Sequence, residues 1–128
     1  MDAPAFENLD LACARTGQAI AEKPSKELEK LVTSALAVLE EQGVYALFLF
    51  LKTRGGKAAL TIEQKVREFL KTTPQRAPLL SGDGDVFALL QSMNEDLDKL
   101  LLARDLLRQA LVYARYHARV PQKSESRT

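Results

Sequence analysis

Apolar residues recur every three or four positions along most of this chain, the spacing that places them on one face of an α-helix. The segment KELEKLVTSALAVLEEQ shows the pattern best, with Pro24 and Ser25 before it and Gly43 after it. Because glycine is typical of the position just after a helix, we predict a helix over this segment. Its apolar face consists of Leu28, Leu31, Val32, Ala35, Leu36 and Leu39.

The segment before this helix has a weaker version of the same pattern. We predict a helix from about Asp2 to Glu22, with Phe6 among its apolar positions. Thr16 and Gly17 are poor helix formers, so the centre of this helix is expected to be weak.

A run of eight consecutive apolar residues, Val44 to Leu51, is the least polar part of the chain. Periodicity alone does not distinguish a buried strand from a buried helix over this length. We predict a helix, because no second strand-like run is present to pair with it and a lone strand leaves its backbone polar groups unsatisfied. A helix that is apolar on all sides belongs in the middle of a bundle. The side chains predicted to be buried there are Leu47, Phe48, Phe50 and Leu51.

Three further helices are predicted in the second half of the chain. Two adjacent glycines end the apolar helix, and the capping-box pattern TIEQ, which starts at Thr61, is expected to begin the next one. After a loop rich in proline and glycine, Asp85 begins a short helix. Asn94 or a neighbour then caps a long last helix that ends near Arg119.

The predicted fold class is therefore all-α: a compact bundle of about five to six helices with a buried apolar central helix and a long C-terminal helix. We expect residues 1–120 to form a single helical domain and residues 121–128 to form a polar C-terminal tail. At 128 residues and 46% hydrophobic composition, the chain can bury a core without disulfides or metals.

The composition argues against several classes of protein. Cys13 is the only cysteine and His117 the only histidine, so neither a disulfide, nor a metal site based on cysteines, nor one with two histidines can form within one chain. A single cysteine and an acidic, polar N-terminus favour a cytoplasmic location over secretion. No apolar run approaches the roughly 20 residues of a membrane helix, so no membrane association is expected.

No catalytic, metal or cofactor motif is found, and we do not expect an enzyme. The segment RGGKAA, just after the apolar helix, lacks the first glycine and the Ser or Thr of a phosphate-binding loop. The run GDGDV lacks the third acidic ligand and the terminal glutamate of a calcium loop. Cys13 lies among alanines and is predicted to be a buried thiol of the core.

Charge is more informative than any motif of this kind. The net charge is only +1, but the consecutive blocks 1–42, 43–82, 83–99 and 100–128 carry −4, +5, −4 and +4. Such alternation favours electrostatic pairing, either with a polyanion or between copies of the chain. Chance segregation of charge on solvated helix faces is the alternative.

Two groups of basic residues are candidates for contact with nucleic acid. Lys52, Arg54 and Lys57 lie at and just after the end of the apolar helix, whereas Arg115 and Arg119 share a face of the last helix. Basic side chains on rigid helices bind the phosphate backbone without reading bases. Since few aromatic residues accompany them, the pattern indicates backbone contact in preference to sequence recognition.

Two segments carry a family resemblance. GVYALFLFLKTR resembles the central motif of the small helical subunit of type III CRISPR effector complexes, the Cmr-type small subunit, which runs from Gly-Leu through small and apolar residues to Phe-Leu-Lys-Ser-Lys. The matching positions are Gly43, Val44, Phe50, Leu51, Lys52, Thr53 and Arg54. LLRQALVYARYHAR is similar, more loosely, to the last helix of that family. The matching positions there are Gln109, Ala110, Leu111, Tyr116 and Arg119. Gln109 replaces the family's usual acid, and His117 and Ala118 replace Leu and Lys, which leaves a Csm-like or another type III branch open.

The resemblance implies a non-catalytic subunit without a cofactor. Several copies of such a subunit stack head to tail and line the groove in which target RNA pairs with the guide. The implied partners are guide and target RNA, the other subunits of the complex and further copies of the chain, with the basic residues on the RNA backbone. A stand-alone helical interaction module, such as a dimeric adaptor or regulator, is the alternative class.

Overall fold

The computed structural model describes residues 7–119, and within this range the chain forms six α-helices and no β-strand. The helices are α1 (Leu9–Ile20), α2 (Lys26–Gln42), α3 (Val44–Arg54), α4 (Lys57–Thr72), α5 (Val86–Asn94) and α6 (Leu97–Arg119). The prediction of an all-α fold with a long C-terminal helix is confirmed. The predicted tail, residues 121–128, lies outside the described residues.

The first helix is shorter than the sequence pattern predicts. Asn8 is the N-cap of α1, and its Oδ1 accepts a hydrogen bond of 2.9 Å from the backbone N–H of Leu11. Asparagine binds free amides at a helix start better than it fits a helix interior, which explains why α1 begins after it. The predicted start at Asp2 and the apolar position Phe6 lie outside the described residues. The helix runs unbroken through Gly17.

The ambiguous apolar run is helical, as predicted, but it is not buried on every side. Leu47, Phe48 and Leu51 are buried, whereas Phe50 is only partly buried and Leu49 is 43% exposed. The prediction of a buried apolar central helix is therefore confirmed, although Phe50 is only partly buried and packs against the edge of the core. The reason is that α3 packs closely against α2, α4 and α5, and this arrangement leaves one side of it open.

The start of α4 also differs from the prediction. The helix begins at Lys57 with Gly56 as its N-cap, four residues before the capping-box pattern at Thr61. Ala58 and Ala59 are strong helix formers, and Ala59 is buried, so the helix extends back to the glycine that precedes it. The later boundaries agree better with the pattern, because Asp85 caps α5. Asp96, a neighbour of the predicted cap, caps α6 by accepting a hydrogen bond from the N–H of Lys99.

The long helix α6 organises the bundle, with α1 and α2 packed along it. Gly17 on α1 is the point of closest approach: a Cβ atom at this position would lie 2.7 Å from the backbone nitrogen of Ala114 and 2.8 Å from the carbonyl oxygen of Ala110. Helices α2 and α6 run antiparallel, since Glu29 near the start of α2 contacts Arg119 at the end of α6. Buried side chains from all six helices join in one apolar cluster.

Within residues 7–119, no helix combines the length and the apolar composition that crossing a bilayer requires.

Candidate functional site

The turn between α3 and α4 fixes the position of the first basic group. Gly55 and Gly56 have φ angles of 67° and 94°, a region of backbone conformation that residues with a Cβ rarely adopt. Two adjacent residues of this kind end one helix and let the next begin at once. The turn thus brings Lys52, Arg54 and Lys57, which we call the junction cations, to the facing ends of two rigid helices.

The junction cations are exposed and have no carboxylate partner among residues 7–119 within 4.0 Å. Arg54 donates a long hydrogen bond of 3.4 Å from Nη1 to the carbonyl oxygen of Gly55. The Nζ atom of Lys52 lies 5.6 Å from the centroid of the Phe87 ring, a cation–π contact. Their positive charges are therefore open to an anionic partner.

Helix stability explains two of these cations but not the third. Lys52 and Arg54 lie in the last turn of α3, where the helix dipole favours positive charge. Lys57 occupies the first position of α4, where the dipole disfavours positive charge, and neither an acidic residue in the first turn nor a side-chain cap offsets it. The stability of α4 therefore does not account for a positive charge at Lys57, and binding of an anion there would offset its unfavourable interaction with the helix dipole.

A cavity of about 650 Å³ opens beside the junction cations, between the end of α3 and the starts of α4 and α5. Its apolar lining includes Phe48, Leu51, Val86 and Phe87. Its charged lining consists of Lys52, Lys57, Arg67, Glu63 and Asp85. We call this space the α3–α5 cavity.

The two acidic residues of the α3–α5 cavity already have partners. Glu63 lies 3.5 Å from Nη1 of Arg67, one turn later on α4. Asp85 caps α5 by accepting a hydrogen bond of 3.4 Å from the N–H of Phe87. Capping leaves the negative charge of Asp85 in place, so the five charged side chains that line the cavity sum to a net charge of +1.

The positive charge continues along α4 beyond this cavity. Lys57 also lines a second cavity of about 420 Å³, whose other charged residues are Lys23, Lys65 and the acidic Glu22, so its net charge is +2. Lys57 and Lys65 are eight residues apart on α4, so they lie on the same side of the helix. The structure thus extends the predicted basic group from the α3–α4 turn towards the turn between α1 and α2.

The basic residues of α6 are in a different situation. Arg119 forms an ion pair with Glu29, and Nε of Arg108 lies 3.9 Å from Glu40. Nη2 of Arg104 donates a hydrogen bond of 2.9 Å to the carbonyl oxygen of Glu40. These three residues, which we call the α6 arginines, all have partners on α2, although the nearest carboxylate to Arg108 is that of Asp105 on α6 itself, at 3.1 Å.

Arg115, the other predicted contact on α6, is only partly exposed. Its Nε atom is buried and has no hydrogen-bond partner among the described residues. Neither Arg115 nor Arg119 lines the α3–α5 cavity, so the structure does not bring the two predicted basic groups together at that site. Arg119 is engaged within the fold, whereas the junction cations are not.

An acidic and apolar surface lies at the start of α6. Leu97 and Leu101 are 64% and 48% exposed and are one turn apart. Glu95 and Asp98 flank them, are exposed, and form no ion pair with the described residues. This surface, which we call the α6 start patch, has the charge opposite to that of the junction cations.

The titratable groups of residues 7–119 include two whose pKa is raised, the thiol of Cys13 and the hydroxyl of Tyr113. No cluster of three or more His, Cys, Asp or Glu side chains that could hold a metal ion is found within residues 7–119. Cys13 is buried, as predicted, and its Sγ donates to the carbonyl oxygen of Leu106 at 3.4 Å. Burial raises the pKa of this thiol to about 11, and the nearby charge of Asp10 adds to the shift. The hydrogen bond of 2.7 Å that Tyr113 donates to Asp10 raises the pKa of the tyrosine.

Comparisons of the chain with protein-family models, with curated proteins and with solved structures find no match.

Three residues that line the two cavities could not be identified from the sequence. Lys23 lies in the turn between α1 and α2 and lines the second cavity together with Lys57. The two residues are 34 positions apart in the chain, so no local pattern links them. Phe87 and Val86 enter the α3–α5 cavity because α5 packs against α3, a tertiary contact that helical periodicity does not specify. Only the eight-residue spacing of Lys57 and Lys65 carries a signal in the sequence.

Proposed function

We propose that this chain is a non-catalytic, RNA-contacting small subunit of a type III CRISPR effector complex. The observation that supports the proposal most strongly is the state of the junction cations. They are fixed at the ends of two helices, they are exposed, and no carboxylate of residues 7–119 neutralises them. The resemblance of GVYALFLFLKTR to the central motif of the Cmr-type small subunit adds to this, because Lys52 and Arg54 end the matching segment.

The chemistry of such a site suits the RNA backbone. Lysine and arginine side chains held at rigid helix ends meet phosphates with little loss of conformational freedom. They carry no base-specific hydrogen-bonding pattern, so binding is expected to be largely independent of sequence. A complex that scans many different targets with different guides requires contacts of this kind.

Stacking of several copies is the second part of the proposal. A head-to-tail stack requires two different and complementary surfaces on each copy. The α6 start patch, which is acidic and apolar, offers one surface of the required kind. Positive charge on other parts of the chain, in the blocks 43–82 and 100–128, offers the complement.

RNA binding by the isolated chain tests the proposal directly. Titration of fluorescently labelled oligoribonucleotides of three unrelated sequences at several salt concentrations should give similar affinities that fall steeply with salt. Such a result would be consistent with guide and target RNA as the partners of this chain. Absence of measurable binding to all three at low salt would count against the RNA-contacting role.

A stand-alone interaction module is the second candidate function. The exposure of Leu97 and Leu101 favours it, because neighbouring exposed leucines mark protein contact surfaces. A stable dimer that is indifferent to RNA would favour this function over the first. Sedimentation of the chain with and without a twelve-nucleotide RNA distinguishes the two.

A further inference from the structure

We propose that the α3–α5 cavity is a subsite for one unstacked nucleobase of single-stranded RNA, with the ring against Phe87 and the adjoining phosphates at Lys52 and Lys57. This inference rests on the proposed function and adds a base-binding site to the backbone contacts. It predicts that the protein binds bases as well as phosphates, although it does not distinguish one sequence from another by hydrogen bonding.

The size and the apolar lining of the cavity suit a nucleobase. Its volume of about 650 Å³ lies within the range of roughly 300–1,000 Å³ that is typical of small-molecule sites, and a nucleobase is small enough to enter it. Much of the lining is apolar, from Phe48, Leu51, Val86 and Phe87. An apolar wall that includes an aromatic ring suits the flat face of a base.

The charges around the cavity favour a ligand with negative charge. Glu63 is paired with Arg67, and the charged side chains that line the cavity, with Asp85 included, sum to a net charge of +1. A ligand that fits must therefore combine an apolar, flat group with negative charge. A nucleotide within an RNA strand has both, and its phosphates lie next to the base.

The aromatic contacts of Phe87 show how a base could be accommodated. Tyr45 lies beside the Phe87 ring with a centroid distance of 5.4 Å and an angle of 57°, so this neighbour is tilted and not stacked. The other close partner is the ammonium group of Lys52, 5.6 Å from the ring centroid. A flexible lysine is easily displaced, and stacking on a base is generally stronger than an exposed cation–π contact. The displaced ammonium would then be free to meet a phosphate.

The continuation of positive charge favours RNA over an acidic peptide. One acidic side chain would need only one of the two lysines at the cavity. The same Lys57 also borders the second cavity with Lys23 and Lys65, so the cations continue past the base site. A chain with regularly spaced negative charges uses such a series, whereas a single carboxylate does not.

The test compares two RNA probes of equal charge. The first is a fluorescently labelled oligomer of twelve uridines, whose bases stack weakly on one another and are therefore free to enter a cavity. The second has the same length and the same number of phosphates, but ribose without a base at every position. Wild-type protein should bind the uridine oligomer about fivefold or more tightly, the low end expected for one base stacked on an aromatic ring.

Substitution of the aromatic wall should remove this preference. Phe87→Ala is expected to lower affinity for the uridine oligomer about fivefold and to leave affinity for the abasic oligomer unchanged. The salt dependence should stay at the wild-type value, because the phosphates keep their lysine partners. Phe87→Leu, which keeps an apolar side chain of similar volume, should have the same effect if Phe87→Ala disturbs folding. Tyr116→Ala, which removes a 60% exposed aromatic ring on α6, is the matched control and should change neither affinity.

The possible failures are distinguishable. Equal binding of the two oligomers by wild-type protein, with normal salt dependence, would overturn the base subsite and leave the backbone contact intact. A loss from Phe87→Leu that is no larger than the loss from Tyr116→Ala would overturn it as well. If neither oligomer binds at low salt, both the subsite and the RNA-contacting function are wrong.

Discussion

Gly17→Ala provides the most direct test of how the bundle is held together, because helix propensity and packing predict opposite signs for it. Gly17 lies inside α1 with ordinary helical geometry, so alanine there should stabilise an isolated helix by about 1 kcal/mol. In the structure, the new Cβ atom would lie 2.7 Å from the backbone nitrogen of Ala114 and from Cβ of Tyr113, and 2.8 Å from the carbonyl oxygen of Ala110. None of these atoms belongs to the movable end of a side chain.

Relief of these contacts requires α1 to move away from α6. Overpacking of this kind typically costs about 1–3 kcal/mol, which exceeds the gain from propensity or at least cancels it. The displaced helix also carries Cys13 and the Asp10–Tyr113 hydrogen bond, so their contacts with α6 would weaken too. Subtracting the propensity gain from the packing cost gives an expected net loss of up to about 2 kcal/mol in the free energy of unfolding.

Thermal and urea denaturation followed by circular dichroism measure this loss. A decrease of up to about 2 kcal/mol corresponds to a melting temperature lowered by up to about 8 °C for a chain of this size. Gln18→Ala, a substitution at the exposed neighbour, is the control and should change stability by less than about 0.5 kcal/mol. A Gly17→Ala protein that is more stable than wild type would show that α1 does not pack against α6 as closely as described.

Three further predictions concern the core, the thiol and association between copies. Phe48→Asp should prevent folding, because it places an unpaired charge at a position that is 1% exposed, and normal melting of this variant in circular dichroism would contradict the core described for α3. Cys13 should react with a thiol reagent at pH 8 far more slowly in the native protein than in denaturant, since burial raises its pKa to about 11 and keeps it in the unreactive thiol form; equal rates would mean that α1 is open. Self-association measured by sedimentation should strengthen as salt falls, because exposed charges are screened within about 10 Å at 0.1 M salt, and Asp98→Lys in the α6 start patch should weaken it. Association that strengthens with added salt would instead indicate an apolar interface between copies.

Local patterns in the sequence were sufficient to predict the helices but not all of their boundaries. Ser25 and Gly43 were recognised as the ends of α2 because capping chemistry is local: the Oγ of Ser25 accepts a hydrogen bond from the N–H of Leu28, only three residues away. Thr61 was misread as a helix start because TIEQ has the same composition in the interior of a helix as at its N-terminus. Gly56 provided the true boundary, since a positive φ angle ends one element and allows another to begin.

Burial was harder to predict than secondary structure. Leu97 and Leu101 are apolar and one turn apart on α6, yet both are exposed, because no other helix of residues 7–119 covers that face at the start of α6. Leu49 is exposed for the same reason on α3. Which apolar face finds a partner depends on how the helices pack, and that information is spread over the whole chain.

The difference between the two basic groups also arises from tertiary structure. Arg119 and Lys57 look alike in the sequence, as basic residues near helix ends. The partner of Arg119 is Glu29, 90 residues away, and antiparallel packing of α2 and α6 brings the two together. Lys57 has no such partner among residues 7–119, so the structure separates a candidate binding residue from one that holds helices together.

The central claim is that the junction cations contact RNA, and the salt dependence of RNA binding tests it most directly. The variant in which Lys52, Arg54 and Lys57 are all changed to Ala should fold normally, because all three side chains are exposed. It should bind oligoribonucleotides of unrelated sequence more weakly, by a similar factor for each. The slope of log affinity against log salt should decrease by up to about 2, or about 0.7 for each phosphate of a single strand that is no longer neutralised.

A variant with the α6 arginines changed to Ala is the matched control, since it removes the same amount of charge from residues that are already engaged with α2. The comparison therefore separates a local contact from a general effect of net charge. We predict that the junction variant loses affinity and slope while the control keeps the wild-type slope. If the junction variant retains the wild-type affinity and slope, or if the two variants lose both equally, the junction cations are not the RNA contact.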